Sequence, residues 1–395
     1  MKKATIIIIF PILFVFCRPA RPSTAMSALE CLLKKNAAHT SISYKVNFRM
    51  KYFSSKDTSR YLGYCKLVKN DKDTLFHGYV WYSLPTWHLI YYYGGDYLYL
   101  IRDSLKNITS FSDPENKYGW IQGNTSGHLI NTVFLDTLFN PKRAIDTIIT
   151  QKLTHDTING NDYWKIKLNY KGDDEVSNRE RCIWINPKDS TLKKITFKCT
   201  LQGQNEYEEW DLDSIQYDKD TYESVNSQMS SRLSSYTINP YVPPTPESEK
   251  PLTNNTVAPE FTGVDFSTGK KVSLKNYRGK LVLLDFWYMD CVWCIRAMPS
   301  IEKIDSEYRS KGVVILGINS FDTTEEKKHD LPAFIKINKN TYPTILTSRS
   351  TDKLYNIHAY PTLYLINKKG EISFSEVGYK KGMDSILKAE INKIK

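Results

Sequence analysis

Long runs of like charge are missing from these 395 residues. Basic residues outnumber acidic ones 54 to 43, a net charge of +11, but they are scattered and form no Lys/Arg block. That pattern is a solvated basic surface, without the concentrated footprint that nucleic acid demands. No stretch reaches the ~20 apolar residues of a comfortable membrane span, and the run Ile6 to Phe16 stops well short. Neither a phosphate-cradling glycine loop nor a serine nucleophile elbow occurs, so the chemistries built on those motifs have no carrier. Cysteine is sparse, with seven in all, and only one pair has the spacing Cys-x-x-Cys. A structural zinc site needs four ligands. No second such pair and no neighbouring histidines supply them, and His329 and His358 stand alone, as surface residues do. No metal and no bound cofactor are expected.

The chain is too long for one ordinary domain, and 41% hydrophobic residues are ample for packed cores. Lys2 and Lys3 ahead of Ile6 to Phe16 read as an export signal over residues 1–25. Two endings compete: cleavage near Ser23-Thr24-Ala25, or lipidation at Cys17 behind Phe14-Val15-Phe16. Either one places the protein in the periplasm or cell envelope, where disulfides persist. Cys182 and Cys199 flank an expected hairpin, and sequence leaves open whether they face each other and pair.

Residues 26–240 alternate like a β protein. Ile42, Tyr44, Val46, Phe48 and Met50 are separated by polar residues, as are Trp164, Ile166, Leu168 and Tyr170. "CIWINPKDSTLKKITFKC" reads as strand, turn at Asn186 to Ser190, strand. Period-two alternation means one buried and one wet face, hence an antiparallel, curved sheet. Met26 to Ala38 and the region of His128 to Leu138 look helical. With "GGDYLYLI" and "WINPKDSTLKKI", this pattern resembles the LolA-like half-barrel of exported lipoprotein carriers. The resemblance implies a concave apolar surface able to take lipid or peptide; the plainer alternative is a β domain that positions its neighbour. Prolines 240, 243, 244, 246 and 251 then mark an extended linker over residues 241–254.

Residues 255–395 change style. "KLVLLDFW" (Lys280 to Trp287) is a continuous apolar run, as in a strand buried on both faces. A helix begins near Val292. "GVVILGIN" is a second buried strand, "LPAFIKINK" looks helical, "TLYLIN" and "EISFSEVG" bracket a turn, and "MDSILKAEINKI" has helical spacing. The sum is a mixed α/β sandwich.

Cys291 and Cys294 stand between the buried strand and the helix, the setting of a redox pair. Free amides and the macrodipole at a helix start stabilise a thiolate on Cys291. The thiolate is the species that attacks a disulfide. Cys294, one turn in, is placed to resolve the mixed disulfide. Cys291 is therefore the expected exposed nucleophile and Cys294 the buried resolver.

Here the chain resembles the exported thioredoxin-like thiol-disulfide oxidoreductases of the TlpA/ResA type. The carrying residues are "APEF" (Ala258 to Phe261), "VSLKNYRGKLVLLDFW" (Val272 to Trp287), the cysteine pair with Met298-Pro299, and "AYPTLYLINKKGEI" (Ala359 to Ile372). The resemblance implies a thioredoxin-like fold and a cis bond before Pro361, with Pro343 the rival, so that Tyr360 presents backbone to a disulfide-bearing peptide. It also implies that Asp285 is a buried base for the Cys294 proton, with a raised pKa; the alternative is an aspartate paired with a lysine. Trp293 and Trp287 are candidate substrate contacts, with Trp287 either covering the disulfide or, the favoured alternative, filling the core. Three features depart from the family. Asp290 replaces the tryptophan before the first cysteine and should raise the pKa of Cys291. Val292-Trp293 stand between the cysteines, and Ala297 replaces a family glutamate. Tyr288, where a peroxiredoxin would carry threonine, argues against peroxide chemistry. The expected function is disulfide exchange, in the reducing direction, with envelope proteins, fed by a membrane electron donor. The alternative is an envelope lipid- or peptide-binding protein whose cysteine pair is structural or a sensor.

Overall fold

A computed structural model describes residues 22–394, apart from 52, 54–57, 116, 118–147, 174, 244 and 246–248. The expected leader through residue 21, with Cys17, and the helix expected over His128 to Leu138 lie outside the described residues.

The first element is helix α1 (Ala25–Ala37). Thr24 caps it: the Thr24 hydroxyl accepts the Ser27 amide at 3.1 Å, and the Ser27 hydroxyl accepts the Thr24 amide at 3.0 Å. The boundary expected at residue 25 thus falls inside a capped helix whose Ala25 is buried. Eleven strands and a helix follow: β1 (Ser41–Lys51), β2 (Ser59–Lys69), β3 (Gly78–Leu84), β4 (Leu89–Tyr93), β5 (Leu98–Arg102), β6 (Asn107–Phe111), β7 (Ile148–Ile158), β8 (Asn161–Tyr170), β9 (Val176–Ile185), β10 (Leu192–Leu201), β11 (Gln204–Tyr217) and α2 (Tyr222–Ser235). With β12 (Thr237–Pro240) they form one open 12-stranded sheet, in the order β12-β6-β5-β4-β3-β2-β1-β11-β10-β9-β8-β7. Neighbours are antiparallel except for β12, which runs parallel to β6. In β1 the buried positions alternate with half-buried ones from Ile42 to Met50, the one-sided burial that the sequence pattern calls for.

Helix α1 lays Ala28, Leu29 and Leu32 on one face of this sheet, against a core that includes Val46, Phe48, Ile183 and Trp210. Helix α2 covers part of the other face, with Val225 and Met229 against Ile90, Tyr92, Ile101 and Ile108. Among the described residues each face of the sheet thus carries one of the domain's own helices. Cys182 stands opposite Thr196 in the β9–β10 register. Three residues along a strand reverse the face, so Cys199 points to the other side, and both are free thiols.

Tyr241 still belongs to the N-terminal domain, its amide bonding Ser110 and its ring against Phe111. Lys250 already belongs to the C-terminal one: its carbonyl accepts from Asn356, and the Leu252 amide bonds the Tyr364 hydroxyl. The end of the expected linker is thus docked on the second domain.

That domain comprises β13 (Thr262–Asp265), β14 (Lys271–Ser273), β15 (Leu281–Phe286), α3 (Val292–Tyr308), β16 (Val313–Asn319), α4 (Glu325–Ile337), β17 (Thr344–Leu346), α5 (Arg349–Leu354), β18 (Thr362–Ile366), β19 (Ile372–Val377) and α6 (Met383–Ile394). The strands form a seven-stranded sheet, β14-β13-β17-β16-β15-β18-β19, with β15, β16 and β17 parallel and β18 antiparallel to β15. Every residue of β15 is buried. Leu281 and Leu283 face α3 and α6, while Val282, Leu284 and Phe286 face Phe261, Tyr355 and Tyr364. A strand covered on both sides needs an unbroken apolar run.

Candidate active site

The cysteine pair lies where the buried central strand β15 hands over to α3. The connecting loop is held from below. The Trp287 amide bonds the Ile318 carbonyl at 3.1 Å, and the Met289 amide bonds buried Asp322 at 2.8 Å. Asp322 is itself held by the Asn319 side-chain amide at 2.7 Å. Cys291 is the N-cap of α3, and its sulfur accepts the Cys294 amide at 3.0 Å. One of the unpaired donors at a helix start is thus spent on this sulfur, which favours its anionic form. Cys291 and Cys294 are joined in a disulfide across 5.2 Å between Cα atoms.

Asp285 lies on the face of β15 beneath α3 and is fully buried. Its partner is not a lysine: the Tyr342 hydroxyl donates to Oδ2 at 2.9 Å, and Oδ1 has no partner among the described residues. Burial pushes its pKa up to about 7, partly offset by the Tyr342 bond. The cis bond is Tyr360–Pro361. Pro343, the rival, follows Tyr342 and gives its carbonyl to the Gly317 amide. Half-buried Tyr360 lies in the same apolar cluster as the pair, its ring edge-on to Tyr288 and Phe321 and its hydroxyl held by Arg349 at 3.2 Å.

Trp287 is wholly buried and stacks on Phe334 at 5.3 Å, so it fills the core beneath the pair. Gly317 makes room for it: a Cβ there would come within 2.5 Å of the indole nitrogen. Trp293 is 52% exposed, with the Arg296 guanidinium 4.6 Å above its ring and Tyr379 stacked nearby. Asp290 forms an ion pair with Lys327 of α4, so its charge beside Cys291 does not stand unopposed. Lys327 and Tyr342 are missed by sequence reasoning, since each reaches its carboxylate from a distant element.

One expectation is corrected. Cys291 is not exposed: it is 5% accessible, against 1% for Cys294. Residues of the N-terminal domain pack in the same cluster as the pair. Cys199 and Leu201 of β10 and Phe53 share an apolar cluster with Met289, Cys291, Cys294, Ile295 and Met298. At its rim Glu175 forms an ion pair with Arg296 at 3.0 Å and accepts from the Tyr379 hydroxyl. Gln204 donates to Asn338 at 2.8 Å. Sequence carries no signal for such a contact between domains.

A family model described as the AhpC/TSA family matches residues 255–375. The thioredoxin-like protein YneN of Bacillus subtilis (strain 168) is 35% identical over 121 residues, covering 31% of this chain and 69% of that protein. The thiol-disulfide oxidoreductase ResA of Bacillus thuringiensis subsp. konkukian is 32% identical over 116 residues, covering 29% of this chain and 64% of that one. The chain thus spans about two thirds of the length of these curated relatives. The crystal structure of StoA from Bacillus subtilis aligns at 28% identity and a TM-score of 0.30, over 34% of this chain and 98% of that one.

Proposed function

The chain belongs, through its C-terminal domain, to the thioredoxin-like thiol-disulfide oxidoreductases of the AhpC/TSA family, and on that premise we propose that it exchanges disulfides with proteins of the cell envelope, in the reducing direction. The carrying observation is the Cys294 amide aimed at the Cys291 sulfur at the start of α3. In the reduced protein the Cys291 thiolate attacks a partner's disulfide. One S–S bond forms, one breaks, and the partner's first sulfur leaves as a thiolate. Cys294 then attacks the Cys291 sulfur of the mixed disulfide. Asp285, at a pKa of about 7, takes the Cys294 proton. The partner's second sulfur departs, and the Cys291–Cys294 disulfide remains. Each turnover moves two electrons to the partner, so a dithiol donor must restore the pair; a membrane protein is the expected source. The Tyr360–Pro361 segment and exposed Trp293 border the path by which a partner arrives. The export reading rests on Lys2, Lys3 and the apolar run after them. No described helix is long and apolar enough to cross a membrane.

Redox titration tests this reading. The full chain is equilibrated in graded thiol buffers, quenched and alkylated, and the state of the pair is read by mass. A two-electron transition near the thioredoxin value of about −270 mV supports a reductant; one near about −120 mV reverses the direction. A pair that stays oxidised under every buffer removes the activity.

A further inference from the structure

A nucleophile for protein disulfides has to be reached by a protein, yet Cys291 is buried under another part of its own chain. The N-terminal domain contributes Phe53, Val176 and the end of the β10–β11 hairpin to the apolar cluster around it. The hairpin's apolar residues, Cys199 and Leu201, pack in the cluster that holds the disulfide, Met289 and the ring of Tyr360. Tyr360 also lies on the loop that the exchange mechanism assigns to the incoming substrate. We propose that the N-terminal domain occupies the substrate cleft of the redox pair, so that the chain rests closed and a partner protein must displace this hairpin to be reduced. The inference rests on the exchange function proposed above and adds its control.

Three features fit a cover that can leave. Among the described residues, the polar bonds at the edge of the apolar seam run from Glu175 to Arg296 and Tyr379 and from Gln204 to Asn338. Interfaces of this kind within one chain behave like transient protein contacts. Tyr241 is anchored on the first domain and Lys250 on the second, with eight residues between them in the sequence. The hairpin is also chemically passive. The Cys199 thiol donates to Glu206 at 3.3 Å, and burial pushes its pKa up to about 12. It therefore stays protonated at neutral pH and does not attack the pair it covers.

Glu175 is the fastening to cut. Glu175→Arg sets two cations against each other at the rim, and Leu201→Asp puts a charge into the seam. In the reduced full chain, Cys291 labelling by a bulky polymer-linked maleimide is followed by peptide mass, with iodoacetamide as a small control. Both variants are expected to speed the bulky reagent about tenfold and the small one far less, since opening and not thiol acidity has changed. The charge swap Glu175→Arg with Arg296→Glu should bring the bulky rate back toward wild type. Bulky-reagent rates at the wild-type level in both single variants overturn the proposal. Insulin reduction by the same proteins separates the two ideas. Faster labelling with no reduction in any variant would leave the cover standing and sink the exchange function, whereas Cys291-dependent reduction at one rate in every variant would do the reverse.

Discussion

Cys199 and Cys291 share one apolar cluster, yet their sulfurs play opposite parts. On a strand of the N-terminal sheet the Cys199 sulfur donates to a carboxylate; at the start of α3 the Cys291 sulfur accepts an amide. Cys182 likewise donates to a carboxylate, that of Glu180 at 3.5 Å, whereas the partner of Cys65 is the Tyr44 hydroxyl. Burial raises their pKa values, Cys182 to about 11 and Cys65 to about 12, and the carboxylate of Glu180 beside Cys182 adds to the shift. A β ladder consumes its own amides and leaves none for a side-chain sulfur. A helix start leaves several. Cys199 and Cys291 are 6% and 5% accessible, so what distinguishes their surroundings is the backbone setting and not the depth.

Removing cysteines from each region tests that contrast most directly. Cys291→Ser should lower insulin reduction by at least about 10³-fold, since no other group supplies the nucleophile. Cys65→Ser and Cys182→Ser should each leave the rate within about twofold. A comparable loss from either strand cysteine would mean that the N-terminal thiols take part in the chemistry.

The two regions also differ in how much of each strand is core. Trp287 directly follows the strand whose every residue is buried, and it is itself inaccessible. Trp287→Ala should cost about 3–5 kcal/mol through lost burial and the cavity left over Phe334. Tyr64 of β2 lies on the wet side of an alternating strand, 39% exposed, and Tyr64→Ala should cost less than about 0.5 kcal/mol. Urea unfolding of the two variants would show the contrast, and equal losses would break it.

The same periodicities decide what the sequence makes legible. Alternation in β1 and continuity in β15 announce a half-wet and a doubly covered sheet. The helix start at Val292 and the C-terminal helix Met383–Ile394 follow from local pattern alone. The pair Cys291–Cys294 is legible because its geometry lies within one helical turn. The rest is assembled over long separations. Lys327 meets Asp290, Tyr342 meets Asp285 and Glu175 meets Arg296 only after the chain folds, and no local pattern encodes those meetings. The burial of Cys291 is illegible for the same reason. The short strands β13, β14 and β17 escape notice because three or four residues carry too little periodicity.

Asp285 sharpens the comparison from the carboxylate side. With a folded pKa of about 7 and an unfolded one near about 3.9, the native protein holds a proton that the unfolded chain has lost between those values. Stability therefore falls as pH rises through that window and levels off above it. Asp285→Asn keeps an acceptor for Tyr342 and removes the penalty. It should gain on the order of 2–4 kcal/mol at pH 8 and nearly nothing at pH 4, while slowing turnover. Urea unfolding at both pH values checks the first part. A gain equal at both would mean that the carboxylate is not the titrating group.

The smallest expected effect concerns the charges around the pair. Asp290 beside Cys291 is the feature that most resembles the acid-flanked thiols of the N-terminal sheet, and the ammonium of Lys327 sets it apart from them. Both partners are partly exposed, so solvent already screens the pair and its removal is modest. In Lys327→Ala the carboxylate faces Cys291 without a counter-charge, and the thiol pKa should rise by less than about one unit. Asp290→Asn in the same background should bring it back. The pH midpoint of iodoacetamide labelling in the reduced protein reads both changes. A midpoint that ignores them would mean that the Cys294 amide and the helix start alone set the acidity of Cys291, and that the neighbouring charges which raise the strand thiols have no hold at this position.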